Sequence, residues 1–195
     1  MNSVIEKVTN SIIERSQKSR SLYLKQIQEM EDSPDSDRSK LSCSNLAHAV
    51  AASDTSQKKI ITSETTNSKT NLAIISSYND MLSAHQPYEK YPQIIKSAAK
   101  AVGASAQFAG GVPAMCDGIT QGREGMELSL LSRDVIAMST SIGLSHGVYD
   151  GVLCLGICDK IVPGLLMGAL TFGFLPTIFL PAGPMTSGIP NVSIR

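Results

Sequence analysis

The chain has 195 residues, enough for one domain with a substantial core or a little more than one. Its 17 Lys and Arg residues balance 17 Asp and Glu residues, so no bulk charge indicates nucleic acid or an anionic membrane as a partner. The amino terminus lacks a signal-peptide pattern and the four cysteines do not resemble a secreted disulfide framework, which favours a cytoplasmic protein.

The first part of the chain, residues 1–70, predicts a helical and partly flexible extension. An interrupted helical period runs over residues 4–30 and is broken by a polar patch near its middle. Residues 31–38 have the composition of a linker, and residues 41–51 indicate a short second helix. Residues 52–70 are rich in Ser, Thr and Lys, which predicts a mobile loop or a segment that depends on a partner.

The remainder, residues 71–195, has the pattern of an α/β domain. Apolar strands alternate with helical periods in the order 72–76 (strand), 88–102 (helix), 104–109 (strand), 122–144 (helix), 151–157 (strand), 162–171 (helix) and 177–180 (strand). Strands that are apolar on both faces and alternate with helices predict a parallel sheet in a three-layer α/β/α domain. Glycine and proline interrupt the most apolar stretch, 161–182, so we predict no membrane span there.

Three polar loops directly follow predicted strands, namely Ser77–His85, Gly110–Gly118 and Cys158–Gly164. The carboxyl ends of parallel strands meet at one edge of a sheet, and ligands bind there at the point where the strand order reverses. The third loop places a thiol, a carboxylate and an amine in a row at Cys158, Asp159 and Lys160. A soft ligand beside a hard one suits iron–sulfur chemistry together with a divalent cation, with an ordinary solvated loop as the alternative. The pair Gly110–Gly111 forms neither a dinucleotide fingerprint nor a P-loop.

Four long motifs together resemble the dihydroxy-acid/phosphogluconate dehydratase family, namely Ser77–Glu89, Gly110–Gly118, Gly125–Arg133 and Gly156–Gly164. The segment Pro181–Gly188 also matches, and the resemblance extends to about Asn191. Within the family, Tyr78–His85 and the upstream segment Cys43–His48 favour the phosphogluconate branch.

The resemblance implies the amino-terminal portion of a hydro-lyase of gluconate metabolism. The expected reaction is the dehydration of 6-phospho-D-gluconate to 2-dehydro-3-deoxy-6-phospho-D-gluconate in the Entner–Doudoroff pathway, with an iron–sulfur cluster as Lewis acid. The implied cofactors are a [4Fe-4S] cluster and Mg²⁺, and the implied partner is a phosphorylated sugar acid, with a homodimer expected for the full-length form. A dehydratase of another sugar acid or dihydroxy acid, and a non-catalytic remnant or binding domain, are the alternatives.

The resemblance also implies roles for individual residues. Cys158 matches a cluster ligand, and Asp117 and Asp159 match ligands of the Mg²⁺ ion. Lys160 matches a metal-site lysine that is carbamylated in some members, which would turn an ammonium into an oxygen ligand. His85 is expected near the cluster or the substrate, so that Lys160 and His85 are the candidate catalytic residues.

The rest of the cluster ligation stays open at this point. Several relatives carry a first cluster cysteine in the loop after the first strand, where this chain has Ala84. In the phosphogluconate branch, the second assigned cysteine lies in a segment that would come after Arg195. We therefore add Cys116 as a candidate ligand of the cluster, with Cys43 or a non-protein ligand as alternatives. Cys154 is predicted to lie in the core.

Length is the largest departure from the family pattern. Family members are considerably longer and have a second domain that contributes another Mg²⁺ ligand and the proposed serine base. We therefore expect a chain truncated before that domain, and no dehydratase activity from the 195 residues alone.

Overall fold

The structure is a computed structural model that describes residues 2–62 and 70–183. It contains one four-stranded sheet in the order β2-β1-β3-β4, in which every paired strand is parallel, with β1 at Asn71–Ser76, β2 at Ser105–Gly111, β3 at Gly151–Leu155 and β4 at Thr177–Leu180. The predicted order of strands along the chain is therefore confirmed, with boundaries shifted by at most two residues. Most of the Pro181–Gly188 motif lies outside the described residues.

The described residues contain seven α-helices: α1 (Ser3–Glu31), α2 (Cys43–Val50), α3 (Thr55–Ile61), α4 (Tyr91–Ala101), α5 (Asp117–Thr120), α6 (Leu128–Leu144) and α7 (Ile161–Thr171). Four short 3-10 helices accompany them at Pro34–Ser36, Arg38–Lys40, Gln86–Glu89 and Glu124–Glu127. Helix α4 covers one face of the sheet, and α6 and α7 cover the other. This arrangement confirms the three-layer α/β/α domain.

The two faces of the sheet bury separate apolar clusters because neighbouring residues of a strand point to opposite sides. Ile74 packs with Tyr88 and the α4 side, whereas Ile75 packs with Ile136 on the α6 side. Cys154 belongs to the second cluster and is fully buried, which confirms its predicted core position. Burial raises the pKa of the Cys154 thiol to about 12, so this side chain behaves as a small apolar group.

Two glycines bring α6 and α7 into close contact. A Cβ atom at Gly168 would lie 2.5 Å from Cβ of Thr140 and 2.8 Å from the carbonyl oxygen of Ala137. A Cβ atom at Gly164 would lie 2.8 Å from the carbonyl oxygen of Arg133. Since backbone atoms cannot move aside as a flexible side chain does, the two helices depend on glycine at both positions. The contact also fixes the start of α7 against α6.

Replacing Gly168 by alanine is therefore expected to destabilise the chain, although alanine is the better helix former by about 1 kcal/mol. Overpacking costs about 1–3 kcal/mol, and the clash here involves backbone, so we expect a net loss of roughly 1–2 kcal/mol. Urea unfolding followed by circular dichroism measures the change. Gly110→Ala is the matched control, because a Cβ atom there meets nothing within 4 Å. Equal unfolding midpoints for Gly168→Ala and the parent would contradict the close-packing interpretation.

The amino-terminal extension is more regular and better anchored than its sequence predicts. Helix α1 continues for 29 residues through the polar patch that interrupts the helical period. The linker predicted over residues 31–38 ends at Arg38, which is buried and donates from Nη1 to Oδ2 of Asp150 at 2.8 Å. The same Oδ2 atom accepts from the backbone N–H of Asn71 at 2.7 Å. One carboxylate therefore ties the end of the linker to the start of β1.

The prediction of a loop over residues 52–70 is wrong for Thr55–Ile61, which form α3. Asp54 caps the helix amino terminus by accepting from two backbone N–H groups, and Ile60 and Ile61 are buried. Two adjacent apolar residues are too few to produce a periodic signal, so only the capping aspartate could have indicated this helix from the sequence. The division of the chain near residue 70 stays a prediction.

Candidate functional site

The strand order places the three predicted loops at one edge of the sheet. From β1 the chain moves to β2 on one side and later to β3 on the other, so the order reverses between β1 and β3. Across this reversal, Nε2 of His85 lies 3.3 Å from Sγ of Cys158. From the loop after β2, Oδ2 of Asp117 accepts from Nζ of Lys160 at 2.5 Å. Residues of all three loops thus form one contiguous site.

Cys158 has an unusual backbone conformation. Its φ of 81° is the only positive φ at a residue other than glycine in the described part of the chain. A side chain in this region costs of order 1–3 kcal/mol, a strain that persists where surrounding contacts hold the residue and that clusters at functional sites. The residue is exposed, while its thiol faces the buried imidazole of His85. Burial raises the pKa of the Cys158 thiol, and nearby Cys116 and Asp159 raise it further.

Ser77 contacts the Nδ1 side of the His85 imidazole and orients the ring. Its Nδ1 atom lies 3.0 Å from both the carbonyl oxygen and the Oγ atom of Ser77. The Ser77 hydroxyl in turn donates to the carbonyl oxygen of Leu155 at 2.9 Å. His85 is only 1% exposed, and this burial lowers its pKa. The buried ring therefore has a fixed orientation, with Nε2 pointing toward the thiol.

In a second group of polar side chains, two carboxylates contact one amine. Nζ of Lys160 donates to Asp117 at 2.5 Å and to Oδ2 of Asp159 at 2.9 Å. The other oxygen of Asp117, Oδ1, accepts from the hydroxyl of Ser129 at 2.6 Å. Lys160 and then Ser129 lower the pKa of Asp117, while Asp117 and then Asp159 raise the pKa of Lys160. Two carboxylates from different loops therefore face one amine.

This donor set fits a hard divalent cation. The Lys160 ammonium stands in for such a cation, because carboxylate oxygens from two different loops converge on it. Mg²⁺ is bound through one or two carboxylates together with water and substrate oxygens. Within residues 2–62 and 70–183, no group of three or more His, Cys, Asp and Glu side chains could hold a metal ion alone. Further ligands would therefore have to complete the coordination sphere.

The thiols fit an iron–sulfur cluster to differing degrees. Cys158 combines an accessible thiol with a buried imidazole nitrogen, a donor set that suits iron. Cys116 is half-buried immediately before α5, close enough to affect the pKa of Cys158. Cys43 is exposed at the start of α2 in the amino-terminal extension. The geometry therefore favours Cys158 most, and the ligand roles of all three stay predictions.

Sequence reasoning missed the hydroxyl groups of Ser77 and Ser129, which orient His85 and Asp117. Both serines lie inside the motifs that carry the family resemblance, which is the one signal that could have identified them. Their partners follow from tertiary structure, since the Ser77 hydroxyl donates to a residue 78 positions away.

The family model described as dihydroxy-acid/6-phosphogluconate dehydratase N-terminal matches residues 69–195. The chain belongs to this family. A phosphogluconate dehydratase from Escherichia coli K12 is 59% identical over 191 residues, which cover 98% of this chain and 31% of the relative. A phosphogluconate dehydratase from Zymomonas mobilis is 57% identical over the same shares.

A third relative of the dehydratase family shares less of the chain. A dihydroxy-acid dehydratase from Akkermansia muciniphila is 41% identical over 119 residues, which cover 60% of this chain and 21% of the relative. The family match begins at residue 69, so the extension that contains α1, α2 and α3 lies outside it. This chain spans about 31% of the length of the curated phosphogluconate dehydratases named above.

Proposed function

We propose that this chain forms the amino-terminal part of a hydro-lyase that dehydrates 6-phospho-D-gluconate to 2-dehydro-3-deoxy-6-phospho-D-gluconate in the Entner–Doudoroff pathway. The observation that carries the proposal is the 59% identity to a phosphogluconate dehydratase across 98% of this chain. The dihydroxy-acid dehydratase match covers 60% of the chain, so similarity through the amino-terminal extension supports the phosphogluconate branch.

The proposed cofactors are a [4Fe-4S] cluster bound through Cys158 and an Mg²⁺ ion bound through Asp117 and Asp159. When bound, these groups supply Lewis acidity to the leaving hydroxyl and stabilise negative charge that develops at C2 of the substrate. Cys116 stays the candidate for a further cluster ligand. Carbamylation of Lys160, which the family resemblance implies for some members, would add an oxygen ligand and remove the ammonium from the cation site.

The proposed reaction breaks the C2–H and C3–O bonds, and the proton and the hydroxide leave together as water. The resulting enol tautomerises to the 2-keto acid. Asp117 and Asp159 would hold the cation against the substrate carboxylate, and Ser129 keeps one oxygen of Asp117 occupied so that the other faces the cation. Cys158 and Asp159 follow β3 and Asp117 follows β2, so substrate would bind where these two loops meet.

A homodimer, a cytoplasmic location, and the lack of nucleic-acid and membrane partners stay predictions. Among the described helices, none combines the length and the apolar character needed to cross a membrane.

A hybrid enzyme tests the proposed function. In it, this chain replaces the matching amino-terminal third of the E. coli phosphogluconate dehydratase. After anaerobic reconstitution with iron, sulfide and Mg²⁺, we expect the hybrid enzyme to form 2-keto acid from 6-phosphogluconate. A site built to bind a phosphate group leaves its polar groups unpaired when the substrate has no phosphate. We therefore expect kcat/KM for unphosphorylated gluconate to be lower than kcat/KM for 6-phosphogluconate by a factor of about 100 or more.

A second hybrid provides the matched control for substrate class. It carries the matching segment of the A. muciniphila dihydroxy-acid dehydratase on the same E. coli remainder, and we expect it to leave 6-phosphogluconate unchanged. If the hybrid with this chain is folded and loaded with iron but converts only another sugar acid, the phosphogluconate assignment is wrong.

A further inference from the structure

The amino-terminal part of α1, residues 3–21, forms an arm with an apolar face. No residue of α1 is buried among the described residues. At about 1.5 Å per residue, the 29 residues of α1 extend about 43 Å, whereas the 11 residues of α7 extend about 16 Å. Most of the stability of a helix in a protein comes from packing of its apolar face. The arm therefore requires a surface on which this face can pack.

The face by which α1 contacts the domain continues into the arm. Tyr23 donates from Oη to the carbonyl oxygen of Leu170 on α7 at 2.9 Å. Since two helical turns take about 7 residues and three turns about 11, one line along α1 contains Ile5, Ile12, Tyr23 and Met30. The charged residues Glu6, Lys7 and Glu14 lie on the opposite face of the arm. The arm is thus an amphipathic helix whose apolar face is oriented as the α7-binding face is.

A second exposed apolar surface lies on the outer side of α6 and α7, and we call it the α6–α7 surface. Its α6 members recur at intervals of three and four residues, which places them on one face of that helix. The arm and this surface together present twelve large apolar side chains that are 36–67% exposed. They are Val4, Ile5, Val8, Ile12 and Ile13 on the arm, and Leu131, Val135, Met138, Ile142, Leu166, Met167 and Leu170 on the α6–α7 surface.

The arm joins the domain at the edge of the sheet opposite the candidate site. Helix α7 runs from the carboxyl end of β3, where the candidate site lies, to the edge at which β4 begins. Tyr23 contacts α7 close to the end of that helix. A groove of about 890 Å³ lies between α1 and α7, with Ile27 and Met30 on one side and Met167 and Leu170 on the other. A second domain that covers the candidate site would close over the other edge, away from the arm.

The size and charge of these surfaces fit a second copy of the chain. Half-exposed apolar side chains present roughly 80 Å² each, so packing all twelve in two copies would bury about 2,000 Å², the area of an obligate homodimer. The formal net charge of zero means that two copies do not repel each other. The arm also lies outside residues 69–195, the part that matches the family model, so it is an addition to the shared dehydratase domain.

We infer that two copies of this chain associate through exchanged arms, so that the arm of each copy packs on the α6–α7 surface of the other. A two-fold axis makes the two contacts identical, as in most homodimers. The inference gives a contact surface to the homodimer that the family resemblance implies. It requires neither the cluster nor the Mg²⁺ ion.

Sedimentation velocity of the hybrid enzyme over a series of concentrations tests the inference. We expect the hybrid enzyme to be a dimer. The double variant Ile5→Glu with Ile12→Glu places charges against apolar side chains of the other copy, so the dissociation constant of the dimer should rise about 100-fold or more. Leu24→Glu is the matched control, because Leu24 is 53% exposed on the same helix but lies off the line of Ile5 and Ile12. It should keep the dissociation constant of the parent.

A mixing experiment identifies the surface that receives the arm. Met138→Glu with Ile142→Glu alters the α6–α7 surface at two exposed positions and should also weaken the dimer about 100-fold or more. An equal mixture of this surface variant and the arm variant should form mixed dimers, because one intact arm then meets one intact surface. Their dissociation constant should lie between those of the parent and the single variants. Circular dichroism of every variant checks that the helices remain folded.

Three results would each overturn the inference. They are a monomeric hybrid enzyme, a folded arm variant that dimerises as tightly as the parent, and a mixture of the two variants that forms no mixed dimers. The last result would instead indicate that the arms pack on each other. Because sedimentation measures mass and not activity, a dimeric hybrid enzyme that fails to dehydrate 6-phosphogluconate would count against the proposed function alone.

Discussion

Replacing Cys158 by serine is expected to remove most of the iron from the reconstituted hybrid enzyme and to abolish its visible colour. A serine hydroxyl is a harder and less acidic donor than a thiol, and it does not replace thiolate at iron. Cys158 combines an accessible thiol with contact to a buried imidazole nitrogen. We therefore expect iron content to fall roughly tenfold or more, with activity falling in proportion. Iron analysis and the visible absorption spectrum measure the effect.

Cys154→Ala is the matched control for this prediction, because the two cysteines lie four positions apart but in different environments. Cys154 is buried in the cluster beneath α6 and α7, so its loss should cost packing of roughly 1 kcal/mol and leave the iron in place. Cys43→Ser, at an exposed position on α2, should change neither property. Normal iron content in Cys158→Ser would contradict the ligand assignment, and so would iron loss in Cys154→Ala that matches the loss in Cys158→Ser.

The sheet and its loops could be predicted because their signals are local. Apolar strands of four to seven residues and intervening helical periods identify the elements, and a parallel sheet then brings the strand ends to one edge. For this reason Cys158, Asp117 and Lys160 could be assigned to a common site from the sequence. The contacts between Lys160 and Asp117 and between His85 and Cys158 agree with that assignment.

The features that escaped prediction depend on tertiary contacts or on backbone conformation. The left-handed φ of Cys158 has no sequence signal, because the residue is not a glycine or an asparagine. Arg38 forms an ion pair with Asp150, which lies 112 positions away in the sequence. This contact anchors a segment whose composition had predicted a linker. Ser77 and Ser129 look like ordinary loop and helix serines until their acceptors are known. Composition therefore underestimates order wherever one long-range polar contact anchors a segment.

Replacing Asp117 or Asp159 by asparagine is expected to raise the Mg²⁺ concentration that the hybrid enzyme requires, while iron content stays close to that of the parent. Each change removes a charged oxygen from the cation site without altering a sulfur ligand. The structure also predicts an order of effects. The Asp117 side chain is 28% exposed and is held by both Lys160 and Ser129, whereas the Asp159 side chain is 76% exposed. An ordered ligand loses more when it is replaced, so Asp117→Asn should have the larger effect.

We expect the Mg²⁺ concentration for half-maximal activity to rise at least about tenfold in Asp117→Asn, and by a smaller factor in Asp159→Asn. Magnesium titrations of dehydratase activity, with iron analysis of each sample, measure both quantities. Asp134→Asn is the control, since its carboxylate lies 3.6 Å from Arg133 on α6 and makes no contact with Lys160 among the described residues. If both site variants keep the magnesium dependence of the parent, the loops after β2 and β3 do not share a cation. If only Asp117→Asn keeps the magnesium dependence of the parent, the cation binds through Asp159 and not through Asp117. Ser129, which hydrogen-bonds to Asp117, would then have no role in the cation site.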